Sequence, residues 1–144
     1  MTIPPTSNPW NTTNLILASS HLIRRSDRAK ELLAAEPWDL VILDEAHHAR
    51  RRSPQQRKDT PNRLLELLQK LKDRTRSLIL LSATPMQIDP VEIFDLLNLL
   101  GLAGHWSYSD NFCNYFATLR SGINTVRLTK KWKISERYDK VFSL

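Results

Sequence analysis

At 144 residues, 41% of them hydrophobic and 25% charged, the chain has the size and composition of one globular domain, enough to bury roughly 70% of its unfolded surface. Its lone cysteine, Cys113, excludes an internal disulfide and a cysteine-rich zinc module; no apolar run approaches the ~20 residues of a membrane span and the first residues lack a signal-peptide pattern, so a cytoplasmic protein is expected. The net charge of +6 is uneven, with ten basic against three acidic residues between Arg50 and Arg76, a balance that fits either attraction to phosphates or a solvated loop and helix face.

Residues 1–12 open with prolines at positions 4, 5 and 9 among small polar residues and read as an unstructured lead-in. Three short apolar runs follow, at 15–18, 40–43 and 78–81. Each is continuous rather than alternating, which predicts strands covered on both faces in a parallel sheet. Between the first two, a helix is expected after the potential cap Ser26, through Leu32 and Leu33, and ended by Pro37. Thr60 as cap and Pro61 at the first position predict a second helix, with Leu64, Leu67, Leu68 and Leu71 on one face.

After the third run, Asp89 and Glu92 can form a capping box around Pro90. Ile93, Leu96, Leu97 and Leu100 should then be a buried stripe, with Gly101 as the stop. A last helix, about Asp110 to Leu119, should turn Phe112, Tyr115, Phe116 and Leu119 inward, with Cys113 as a small buried residue. Trp38, just before the second run, is expected to pack. The tail, 121–144, carries six basic residues and no clear period. Strand and helix alternate as in a doubly wound α/β fold, whose crossovers should cover both faces of the sheet.

In such sheets ligands bind beyond the carboxyl ends of the strands. Those ends read Ser19-Ser20-His21, Asp44-Glu45-Ala46-His47 and Ser82-Ala83-Thr84-Pro85. Two carboxylates leaving an apolar strand suit metal-assisted phosphoryl transfer. Asp44 can hold Mg²⁺, a cation that takes oxygen ligands and keeps several waters. Glu45 can orient and deprotonate the attacking water. His47 and His48 are adjacent rather than four apart, so a zinc-protease helix is excluded.

Asp44-Glu45-Ala46-His47 resembles the Walker B motif (motif II) of DEAH-box superfamily 2 ATPases, and Ser82-Ala83-Thr84 resembles their motif III. The longer string from Leu80 to Gln87, followed by a Leu- and Phe-rich helix, is similar to the Swi/Snf-related branch, with RapA-like and DISARM-type translocases as bacterial examples. The resemblance implies an incomplete RecA-like lobe over residues 13–120. It implies ATP and Mg²⁺ as cofactors of the intact enzyme, with Asp44 on the metal and Glu45 as the base. His47 would link the nucleotide to motif III, and Ser82, Ala83 and Thr84 would couple hydrolysis to movement on DNA. Ser20, His21, Arg24 and Arg25 stand where the family's motif Ib lies near the tracking strand.

A P-loop needs glycine directly before lysine, and glycine here stands only at 101, 104 and 122, before other residues. The P-loop and the second lobe would be partners of this chain. Alone it is expected to bind no nucleotide tightly, to hydrolyse none, and to aggregate through an open sheet edge. The competing reading is a non-catalytic module that binds nucleic acid or docks on a partner. For Arg50, Arg51, Arg52, Arg57 and Lys58, a solvated loop and a DNA contact are both open.

Overall fold

The computed structural model describes residues 8–52, 60–84 and 89–120. Arg57, Lys58, Pro85, Met86, Gln87 and the basic tail lie outside the described residues. The elements are α1 (Ser20–Ile23), α2 (Ser26–Ala34), β1 (Trp38–Leu43), α3 (Arg63–Leu71), β2 (Thr75–Leu80), α4 (Pro90–Leu99) and α5 (Ser109–Arg120), with short 3₁₀ turns at Pro9–Asn11, Ala46–His48, Lys72–Arg74 and Gly104–Ser107. β1 and β2 pair in parallel, Leu40 opposite Ser77 and Ile42 opposite Ile79, with α3 as the crossover. This is a partial RecA-like arrangement: a parallel sheet with helices packed on it.

α3 is the central support. All five of its leucines are buried. Leu64, Leu65 and Leu68 join Leu43, Ala46, Ala49, Leu96 and Leu99 in one cluster, with Leu78 and Leu80 packed against it. Leu67 and Leu71 face a second cluster with Trp10, Leu32 and Ala35, backed by Trp38 and Val41. At about 1.5–3 kcal/mol for each fully buried leucine, this one helix supplies a large share of the apolar stabilisation. Phe94, Val91, Phe112 and Cys113 form a third cluster between α4 and α5.

The helix starts depart from the sequence expectation in two places. Pro61 is still extended, bridged to Arg51, so Thr60 and Pro61 cannot open α3. Asn62 caps it instead, its Oδ1 accepting from Leu65 N–H at 2.9 Å. Ser26 lies inside α2, whose cap position is Arg25 without a side-chain bond. Ser19 starts the separate single turn α1, its Oγ accepting from Leu22 N–H at 3.2 Å. α2 ends at Ala34 because Ala35 is already extended. The capping box of Asp89 and Glu92 forms as expected. The buried face of α4 is rotated, however: Val91, Phe94, Leu96 and Leu99 are inside, Ile93 and Leu97 are half-buried, and Leu100 is exposed. On α5 Phe112 is buried, Tyr115 and Phe116 are half-buried and Leu119 is exposed.

Three further expectations are corrected. Part of the lead-in is ordered: Asn8 donates to Glu31 O at 2.7 Å and Trp10 is buried. The run 15–18 forms no strand, since among the described residues it has no neighbouring strand to pair with. Ile16 and Ala18 pack on the Trp10 cluster while Leu15 and Leu17 point to solvent. Among the described residues, the two strands that do form are covered on one face only. Val41, Leu43, Leu78 and Leu80 meet the helices, while Leu40, Ile42, Ile79 and Leu81 stay 43–57% exposed.

Paired apolar residues on an open sheet face, together with unpaired outer edges among the described residues, favour self-association. The chain is expected to form concentration-dependent oligomers in sedimentation velocity. Ile42→Lys with Ile79→Thr should shift it toward monomer with its far-UV dichroism retained; equal association by both proteins would contradict this.

Candidate functional site

The carboxyl ends of β1 and β2 lie side by side because the parallel pairing runs past the last strand residues. Leu81 N–H donates to Leu43 O at 2.9 Å, and Ala46 N–H donates back to Leu81 O at 2.8 Å. Ala46 and Ala49, both fully buried, pin the intervening turn to the core. Between Leu43 and Ala46, Asp44 and Glu45 are exposed. Asp44 Oδ1 accepts from the Glu45 N–H at 2.8 Å. Glu45 has φ 50° and is the one described non-glycine residue with positive φ, a conformation that costs about 1–3 kcal/mol and clusters at functional sites.

Glu45 and Ser82 meet through one imidazole. His47 Nδ1 lies 3.1 Å from Glu45 Oε2 and 3.2 Å from Ser82 Oγ. An ionised carboxylate only accepts hydrogen bonds, so the Glu45 contact requires a proton on Nδ1. Ser82 Oγ also accepts from the Thr84 N–H at 3.3 Å, which curls the loop after β2 over its own serine. The structure therefore brings Glu45, His47 and Ser82 into one chain of contacts. Asp44, Ala83 and Thr84 flank it at the surface. His48 is exposed, stacked on His47 with ring centroids 4.2 Å apart.

Ser20, His21, Arg24 and Arg25 lie apart from that chain, on and just after α1. Arg24 Nε donates to Ser20 O at 3.0 Å, and Arg25 pairs with Asp27 at 3.3 Å on the surface. His21, Arg24 and Arg25 line an open depression of about 470 Å³, together with Arg52, Asn62 and Arg63.

Arg50 and Arg51 are neither a solvated loop nor free to meet DNA. Arg50 Nη1 donates to Glu92 Oε1 at 3.1 Å, and Arg51 Nε lies 3.1 Å from both carboxylate oxygens of Asp95. Glu92 Oε2 also accepts from the Asp89 N–H at 3.3 Å. One carboxylate thus joins the turn after β1 to the start of α4. These contacts were missed because the arginines read as one basic run; the available signal was two acids, Glu92 and Asp95, one turn apart in a mostly apolar helix. Burial pushes the Asp95 carboxyl above its ordinary value, Arg51 pulls it back, and Glu92 adds to the rise.

Asp95→Leu is expected to cost about 3 kcal/mol, because it strips a largely buried guanidinium of its carboxylate. Adding Arg51→Met should recover most of that loss in urea melts, and additive losses would contradict the pairing. Because the folded-state pKa of Asp95 is raised, its contribution to stability is greatest while it is protonated. That contribution falls as pH rises from the ordinary carboxyl value through the folded one. Asp95→Asn should remove this slope from thermal midpoints taken across the acid range.

The SNF2-related domain family matches residues 7–137. Over 93 residues, 65% of this chain, the sequence is 34% identical to RNA polymerase-associated protein RapA of Erwinia tasmaniensis. Over 94 residues it is 33% identical to the protein of the same name from Yersinia pestis. The matched stretch spans 9% of either relative's length. With the family match covering most of its length, the chain belongs to the SNF2-related domain family, the Swi/Snf-related branch of superfamily 2 helicases.

Proposed function

We propose that residues 13–120 are part of the first ATPase lobe of an ATP-dependent DNA helicase or translocase. The carrying observation is the contact chain Glu45–His47–Ser82, which ties a two-carboxylate strand end to the loop after the neighbouring strand. The donor set fits magnesium bound with a nucleotide. That ion uses one or two carboxylates plus phosphate oxygens and water, and Asp44 and Glu45 offer hard oxygens at an exposed strand end. When bound, Mg²⁺–ATP supplies the scissile phosphoanhydride and the positive charge that phosphoryl transfer requires.

Asp44 is the metal ligand in this reading. Glu45 is the general base: it orients water and takes its proton on a carboxylate oxygen. Its left-handed backbone aims that side chain across the strand end, and His47 Nδ1 steadies it at 3.1 Å. Any change in Glu45 on hydrolysis reaches Ser82 through the same imidazole. Ser82, Ala83 and Thr84 then carry it toward the lobe that grips DNA. Ser20, His21, Arg24 and Arg25 contact the nucleic acid. The relatives' name ties them to RNA polymerase, so a transcription-linked DNA substrate in the cytoplasm is the matching context. Among the described residues no helix is long and apolar enough to cross a membrane.

No lysine follows a glycine in this sequence, so the phosphate cradle must come from a P-loop segment outside it, as must the second lobe. A second reading, a non-catalytic docking or nucleic-acid-binding module, is favoured by the uncovered apolar face of the sheet.

One measurement tests the missing phosphate cradle and another separates the two readings. Purified chain should show no ATP hydrolysis above background; a Mg²⁺-dependent rate abolished by Glu45→Gln would overturn the dependence on a separate P-loop. The gene's flanking DNA should encode Gly-Lys-Thr upstream and a second ATPase lobe downstream. Intact, expressed neighbours lacking both would favour the docking module.

A further inference from the structure

Among the described residues, some arginines are paired with carboxylates and others are not. Arg28, Arg50, Arg51 and Arg76 are paired with Glu31, Glu92, Asp95 and Asp39. Arg24, Arg52 and Arg63 have no carboxylate within ion-pair distance among the described residues, and all three line the depression beside α1. They come from segments far apart in sequence, before β1 and after it. Arg25, the fourth guanidinium there, holds only a surface pair with Asp27, and such a pair is worth about 0–1 kcal/mol and exchanges readily.

Four guanidiniums line this one depression. Arg63 is the first residue of α3, where a cation opposes the helix dipole and an anion is welcomed. Like charges converge on one concave surface, with Asp27 and Glu66 nearby. Glu66 is held below its usual range by Lys70 first, and by Arg52 and Arg63 after it. A row of phosphates would relieve this repulsion by releasing counterions as each contact forms.

We infer that Arg52 and Arg63 extend the Arg24–Arg25 surface into a docking site for the phosphodiester backbone of a nucleic-acid strand. The inference rests on the nucleic-acid reading of α1 and adds residues that follow motif II. Arg50 and Arg51 stay out of the site because Glu92 and Asp95 hold them. Recognition is of the backbone, so it is independent of base sequence.

The test is fluorescence anisotropy of the full chain with a labelled short duplex and its single strand, titrated across salt concentrations. Arg52→Ala with Arg63→Ala should lower the slope of log affinity against log salt by about 1.8 on duplex and about 1.4 on single strand. The loss should be uniform across sequences, and Lys at both positions should restore the slope. Arg24→Ala with Arg25→Ala should lower it comparably, and Arg76→Ala, on an exposed surface pair elsewhere, should not. Thermal midpoints should hold for Arg52→Ala with Arg63→Ala, since both side chains are exposed. A slope lowered only by the Arg24–Arg25 pair overturns this inference and leaves the α1 reading standing. Binding unaffected by either pair, or no binding at all, overturns both. Displacement of the duplex by inorganic phosphate at matched ionic strength would overturn the backbone assignment in favour of an isolated anion site.

Discussion

Two backbone hydrogen bonds beyond the strand ends, Leu81 to Leu43 and Ala46 to Leu81, hold the loops that follow β1 and β2 together. Parallel strands send both carboxyl ends to the same side of the sheet. That polarity puts Ser82 within reach of the imidazole of His47, 35 residues earlier in the chain. The turn between them leaves little room for variation, since Ala46 and Ala49 are fully buried and larger side chains there would press on Leu64, Leu65 and Leu68. Glu45 takes up the remaining geometry by adopting a left-handed backbone.

Contact between the two loops is made at both ends. His47 meets Ser82 at the start of the loop after β2, and Arg50 meets Glu92 at its far end, where α4 begins. Glu92 serves the capping box and the arginine at once, so the helix start and the turn after β1 share one carboxylate. Such a buried pair contributes little net energy over an apolar pair of the same shape. What it supplies is register: either loop can shift only by abandoning a desolvated charge.

Consecutive arginines therefore have different fates. Arg50 and Arg51 turn toward α4 and lose most of their solvent, while Arg52, where the chain runs antiparallel to Thr60, stays outside with Arg63. Net charge over the window cannot distinguish them, because it counts a neutralised guanidinium and a free one alike. The one-sided core has a similar logic. α3 and its leucines cover one face of the sheet, and among the described residues the apolar side chains of the opposite face stay exposed.

The α/β class, the positions of β1 and β2, the leucine face of α3, the capping box of α4 and the polar strings that follow the two strands were all legible in the sequence. Each depends on local pattern: apolar period, caps, and a short polar string after an apolar run. What required tertiary structure was everything set by neighbours. The run at 15–18 has strand composition, but a strand needs a partner to take its backbone hydrogen bonds, and none lies beside it among the described residues. The buried face of α4 turned because α5 and the arginines approach from another side. Side-chain chemistry along the chain determined which groups this protein has available; only packing decided which of them meet, because hydrogen bonds and ion pairs form over a few ångströms of space and not along the sequence.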